Sequence, residues 1–116
     1  MMNTILVVDD DIHIAALVAA LLEDEGYGVR CAFDGWEALA EIDREPPDLV
    51  VSDVMMPRLD GVSLIEQIRN RGLGTPVVLM SAIYADVDLP GVRFVPKPFD
   101  IDYILAVVRR VFEDVA

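Results

Sequence analysis

The sequence is poor in the side chains that bind soft metals or form covalent cross-links, with one histidine and one cysteine in 116 residues. A lone Cys31 has no partner in the chain for a disulfide and no second thiol for a zinc knuckle. Its alternating neighbours mark it as an ordinary strand residue. Basic residues are scarce as well: 9 Lys plus Arg stand against 21 Asp plus Glu, a net charge of −12. A chain this acidic is repelled by nucleic acid and by anionic membrane, so direct nucleic-acid binding by this segment and membrane association are not expected. A cation, or a partner with a basic face, suits it better. Long apolar runs are also missing. The longest, Ile14 to Leu22, is nine residues, far short of a bilayer span. The opening "MMNTILVVDDD" has no basic n-region and its apolar run stops after four residues, so no signal peptide is expected. The chain reads as soluble and cytoplasmic.

What is present is apolar sequence in short, regular pieces. Hydrophobic residues make up 54% of the chain, and the length suits one domain, residues 1–116, around one core. Four runs, Ile5–Val8, Leu49–Val51, Val77–Met80 and Phe94–Val95, are continuously apolar, as in strands buried on both faces of a parallel sheet. A fifth stretch, Tyr27 to Phe33, alternates (Val29, Cys31 and Phe33 against Arg30 and Ala32), which suits an edge strand. Helical stretches separate them. Asp11 caps one that Gly26 stops, and Asp34 caps another that Pro46-Pro47 ends. A third runs from Gly61 to Arg71 and is closed by Gly72, and the last, from Asp100, carries Ile101, Ile104, Leu105, Val108, Val111 and Phe112 on one stripe. Strand alternating with helix predicts an α/β, doubly wound, right-handed fold.

The polar residues gather where the strands end. The first strand runs into Asp9-Asp10-Asp11, the third into Asp53, the fourth into Ser81, and the fifth into Lys97 within "FVPKPF". Ligands of open α/β sheets bind at that carboxyl edge, near the switch in strand order. Carboxylates crowded into one crevice repel each other, and a divalent cation resolves the repulsion. Oxygen ligands without His or Cys favour Mg²⁺, which leaves coordination positions for phosphate oxygens. A hydroxyl and an ammonium beside the acids suit phosphoryl oxygens, so the constellation points to phosphoryl transfer.

With "ILVVDDD" at 5–11, "LVVSDVMMPRLDG" at 49–61, "PVVLMSA" at 76–82 and "FVPKPF" at 94–99, the chain resembles the receiver domain of two-component response regulators over essentially its whole length. The resemblance implies a flavodoxin-like five-stranded parallel sheet of order 2-1-3-4-5. It implies that Asp53 is the phosphoacceptor, a carboxylate nucleophile. Asp9 and Asp10, with Asp53 and the Met55 backbone carbonyl, would hold Mg²⁺. Ser81 and Lys97 would grip phosphoryl oxygens, a cis Lys97–Pro98 bond would present the ammonium, and Ser81 and Phe94 would form the conformational switch. The donor would be a histidine kinase or a histidine phosphotransfer protein, and a homodimer partner or an effector protein would read the outcome. Such a domain is not an enzyme on other substrates; it catalyses only its own aspartyl phosphorylation and dephosphorylation. The alternative is a protein-interaction module with the same fold and no phosphorylation. An aspartyl phosphatase is disfavoured, because Met55 stands where such enzymes carry a second acid.

Two further expectations come from departures and oddities. Only fifteen residues separate Ser81 from Lys97, so the family's fourth helix is expected to be shortened or missing between Ala82 and Arg93. From Ile12 to Leu22 only His13 is polar, which suggests a first helix with a second apolar face. Ile14, Val18 and Leu21, with Tyr103 and Val107, are the candidate partner surface. His13 reads as a solvated or packed histidine, Asp60-Gly61 as turn chemistry, and Trp36 as packing on the second helix.

Overall fold

Every residue of Leu49–Asp53 and of Val77–Ser81 is buried, as strands flanked by helices on both faces must be. The computed structural model describes residues 2–82 and 89–115, with side chains to 113. In chain order the elements are β1 (Thr4–Val8), α1 (Ile12–Asp24), β2 (Gly28–Ala32), α2 (Gly35–Arg44), β3 (Leu49–Asp53), α3 (Gly61–Asn70), β4 (Val77–Ser81), β5 (Val92–Pro96) and α4 (Ile101–Val115). The sheet is parallel throughout and ordered β2-β1-β3-β4-β5. Winding therefore reverses between β1 and β3, and their carboxyl ends open a crevice.

Alternate residues of each strand enter two separate cores. Leu6, Val8, Val50 and Leu79 pack under α2 and α3, while Ile5, Val7, Val51 and Met80 pack under α1 and α4. Each of the first three helices starts on an aspartate. Asp11 accepts from the His13 and Ile14 N–H groups, Asp34 from Glu37 and Asp60 from Ser63, which satisfies donors a helix start leaves unpaired. Asp11 thus serves as the cap the sequence suggests, while Asp60, read from the sequence as turn chemistry, caps α3. β2 lies at the sheet edge, but Phe33 falls beyond its end and is 40% exposed.

Three expectations are corrected or left aside. Val18 is fully buried, with Ala15, Ala19 and Leu22, on the inner face of α1, so it cannot belong to a partner surface. The exposed large apolar residues of that helix are Ile12 and Leu17, whereas Ile14 packs against the core beneath it. Trp36 sits on the first turn of α2 with more than half its surface in solvent, rather than packed. The expected shortening of a helix between Ala82 and Arg93 falls on residues 83–88, outside the described residues. The fourth helix among the described residues, α4, follows β5.

Gly61 fixes how α3 meets the site. A Cβ there would lie 2.6 Å from the Asp53 carbonyl oxygen and 3.0 Å from the Val54 Cα, and backbone atoms cannot give way as a side-chain tip can. Gly61→Ala is expected to destabilise the domain by about 2–3 kcal/mol, the upper range for overpacking, read as a lower urea midpoint with unchanged slope.

Candidate functional site

Asp9 is reached directly from β1. Its N–H donates to the Ala32 carbonyl at 3.1 Å, which locks the residue to the end of β2. Only 1% of Asp9 is exposed. Its Oδ1 accepts the Asp11 N–H at 2.9 Å, while its Oδ2 is buried with no hydrogen-bond partner. Burial pushes the Asp9 carboxyl above the usual aspartate range; the Asp11 hydrogen bond and Lys97 oppose the shift, and Asp53 and Asp10 add to it.

Asp53 ends β3, nearly buried, across from Met80 in the neighbouring strand. Its Oδ1 accepts the Met55 N–H at 3.3 Å. Carboxylate oxygens of Asp9, Asp10 and Asp53 lie within 4.8 Å of one another, with Asp10 exposed to solvent. Lys97, the only lysine in the chain, places Nζ 3.3 Å from Asp53 Oδ2 and 3.7 Å from Asp9 Oδ2. The Lys97–Pro98 peptide bond is cis. Ser81, buried at the end of β4, accepts the Lys97 N–H on its carbonyl at 2.8 Å, so hydroxyl and ammonium belong to adjoining strand ends.

The cluster presents only oxygen donors, one of them a buried carboxylate oxygen without a hydrogen bond. That donor set fits a small hard cation such as Mg²⁺. A nucleophilic carboxylate, an ammonium and a hydroxyl at one crevice can also surround a phosphoryl group. Phe94 is not part of this cluster. It lies opposite Leu79, packs against the core beneath α2 and α3, and lines an open groove of about 570 Å³ with Tyr103 and Val107. Arg58, which the sequence did not single out, also reaches the site's surroundings. It bonds Asp34, the α2 cap, at 2.9 Å across 24 positions of sequence, a distance at which no local pattern would have paired them.

A doubly wound parallel sheet with acids, a hydroxyl and a lysine gathered at the carboxyl ends of its strands defines a flavodoxin-like α/β domain with its polar site at the switch in strand order. Residues 5–109 match the family model described as the response regulator receiver domain. Transcriptional regulatory protein DltR of Streptococcus agalactiae is 40% identical over 111 residues, 90% of this chain and 50% of that protein. Response regulator MprA of Mycobacterium avium is also 40% identical, over 90% of this chain and 49% of its own length. The chain thus spans about half the length of the curated relatives it matches. Among solved structures, the receiver domain of Francisella response regulator 1452 superposes with a TM-score of 0.89 at 34% identity, covering 98% of this chain and 99% of that one. Chemotaxis protein CheY4 of Vibrio cholerae gives 0.88 at 31%, covering 96% and 99%. The chain belongs to the response regulator receiver domain family.

Proposed function

We propose that this domain accepts a phosphoryl group on Asp53 from a histidine kinase or a histidine phosphotransfer protein, in a Mg²⁺-dependent reaction. The observation that carries the reading is Lys97 Nζ lying between the carboxylates of Asp53 and Asp9, at 3.3 and 3.7 Å. Asp9, Asp10, Asp53 and the Met55 carbonyl would hold the cation, which supplies charge neutralisation for the incoming phosphoryl group. An Asp53 oxygen forms the new bond to phosphorus as the donor's phosphorus–nitrogen bond breaks, and the imidazole leaves with that electron pair. Lys97 and the Ser81 hydroxyl hold equatorial oxygens, where transition-state charge collects. Phosphoryl contact at Ser81 would then draw on Phe94, whose half-buried ring can repack, and so carry the signal to a second copy or an effector.

Among the described residues no helix is long and apolar enough to cross a membrane, which is consistent with a cytoplasmic setting. The relatives named as regulators of transcription are about twice this chain's length. With a charge of −12, the domain itself would not contact nucleic acid.

Incubation with acetyl phosphate and Mg²⁺ followed by intact-mass measurement tests the reading. One labile phosphoryl adduct is expected, absent without Mg²⁺ and absent from Asp53→Asn. No adduct in a protein shown to bind Mg²⁺ would favour an interaction module that is not phosphorylated.

A further inference from the structure

Residues 54–60 join β3 to α3 and form one rim of the site. The loop closes on itself through the Gly61 N–H, which donates to the Val54 carbonyl at 2.9 Å. At its tip the Leu59 N–H donates to the Pro57 carbonyl at 2.8 Å across Arg58, whose φ is 69°. A bond of that span over a positive φ is a γ-turn of the strained kind. Arg58 is the only non-glycine residue with positive φ among those described. Such a conformation persists only where neighbouring contacts hold it.

Two of those contacts lie at the start of α2. Arg58 Nη2 is 2.9 Å from Asp34 Oδ2, and Asp34 Oδ1 accepts the Glu37 N–H at 2.7 Å, so both carboxylate oxygens are fixed. Leu59, buried, sits where Gly35 has no Cβ; one built there would fall 2.7 Å from Leu59 Cβ and 2.8 Å from its carbonyl oxygen. At the other end of the loop, the Met55 N–H meets Asp53 Oδ1 at 3.3 Å. That contact is already long for an N–H···O bond, so a small outward shift of the loop breaks it.

We propose that Arg58 is a positioning residue: its ion pair with Asp34 latches the β3–α3 loop onto α2 and keeps the Met55 N–H on the Asp53 carboxylate. The catalytic consequence rests on Asp53 being the phosphoacceptor; the latch itself does not. The Arg58 side chain is 69% exposed and that of Asp34 20%. Pairs of that kind add little to global stability. A small bias is enough here, because it acts between a docked and an undocked loop while the rest of the domain stays folded.

Two variants separate the latch from general stability. Asp34→Asn keeps a capping oxygen for Glu37 and removes the charge that Arg58 meets. Arg58→Gly removes the pair and also relieves the backbone, so its melting temperature is expected at or above wild type. Hydrogen–deuterium exchange over residues 54–60 should rise about threefold in Asp34→Asn, and by less in Arg58→Gly, where relief of the turn offsets part of the lost pair, with α2 and α3 unchanged. The rate of phosphorylation by acetyl phosphate with Mg²⁺ should fall by about the same factor, and Arg58→Lys should recover part of both. Unchanged exchange over 54–60 in both variants overturns the latch. Faster exchange with an unchanged phosphorylation rate overturns its positioning of Asp53. A wild-type protein that forms no Asp53 adduct sinks the phosphoacceptor reading, and the exchange arm still decides the latch.

Discussion

Lys97→Ala is expected to slow phosphoryl acceptance by about a hundredfold or more, the usual loss when one preorganised donor to developing oxyanion charge is removed. The ammonium is already in place before any phosphoryl group arrives, 3.3 Å from the Asp53 carboxylate and at the mouth of a largely buried crevice. Little reorganisation is left for the transition state to drive. The same substitution should also destabilise the metal-free protein at neutral pH. Asp9 Oδ2 has no hydrogen bond, and Lys97 at 3.7 Å is the basic side chain facing it. Removing the ammonium leaves the buried Asp9 carboxylate without its ion-pair partner, at a cost of about 1–3 kcal/mol. Protonation of Asp9 removes that cost, so the stability gap between Lys97→Ala and wild type should narrow as the solution is acidified. Lys97→Arg keeps the charge but replaces a compact ammonium with a planar fork, and should fall between the two. Single-turnover mass measurements with acetyl phosphate, paired with urea titrations at two pH values, check both arms. A rate within about tenfold of wild type would remove Lys97 from the reaction.

Much of this arrangement is visible in the sequence because it is local. Continuous apolar runs mark β1, β3 and β4, and the acids stand at the ends of those runs, so a parallel sheet brings Asp9, Asp53 and Ser81 to one edge with no further information. β5 is less legible. It begins at Val92, two residues before the apolar pair that marks it, because Arg93 interrupts the run on an edge strand whose residues are partly exposed. α1 is legible as a helix but not in its facing. Apolar residues surround it, and periodicity cannot choose among several stripes; the sheet and α4 choose Ala15, Val18, Ala19 and Leu22. That is why Val18 reads as surface from the sequence and lies in the core. The Arg58–Asp34 pair is hidden for a different reason. Its partners lie 24 positions apart in loops whose approach depends on Gly35 lacking a side chain, and single-residue composition carries no trace of that fit.

Asp9→Asn should stabilise the metal-free protein, and added Mg²⁺ should erode that advantage. Burial raises the Asp9 carboxyl above its ordinary range in the fold, so between the ordinary value and the raised one the native state binds more protons than the unfolded chain. Stability contributed by this group therefore falls as pH rises through that window, and the full penalty remains at every pH above it. An asparagine cannot ionise. It can still accept the Asp11 N–H through Oδ1, the bond now made at 2.9 Å. Without Mg²⁺ the variant should be the more stable protein at neutral pH. That advantage should disappear below the ordinary aspartate range, where wild type is protonated in both states. With Mg²⁺ the advantage narrows. Wild type gains about 2.7 kcal/mol at a hundredfold excess over its dissociation constant, whereas the variant, which lacks one of the oxygens proposed to surround the cation and should bind it about tenfold more weakly, gains about 1.4 kcal/mol at the same concentration. Melting curves across pH, with and without Mg²⁺, give all four corners. If the variant is less stable than wild type in metal-free buffer at neutral pH, the Asp9 carboxylate is stabilised by its surroundings, and the strain that a cation is proposed to relieve is not there.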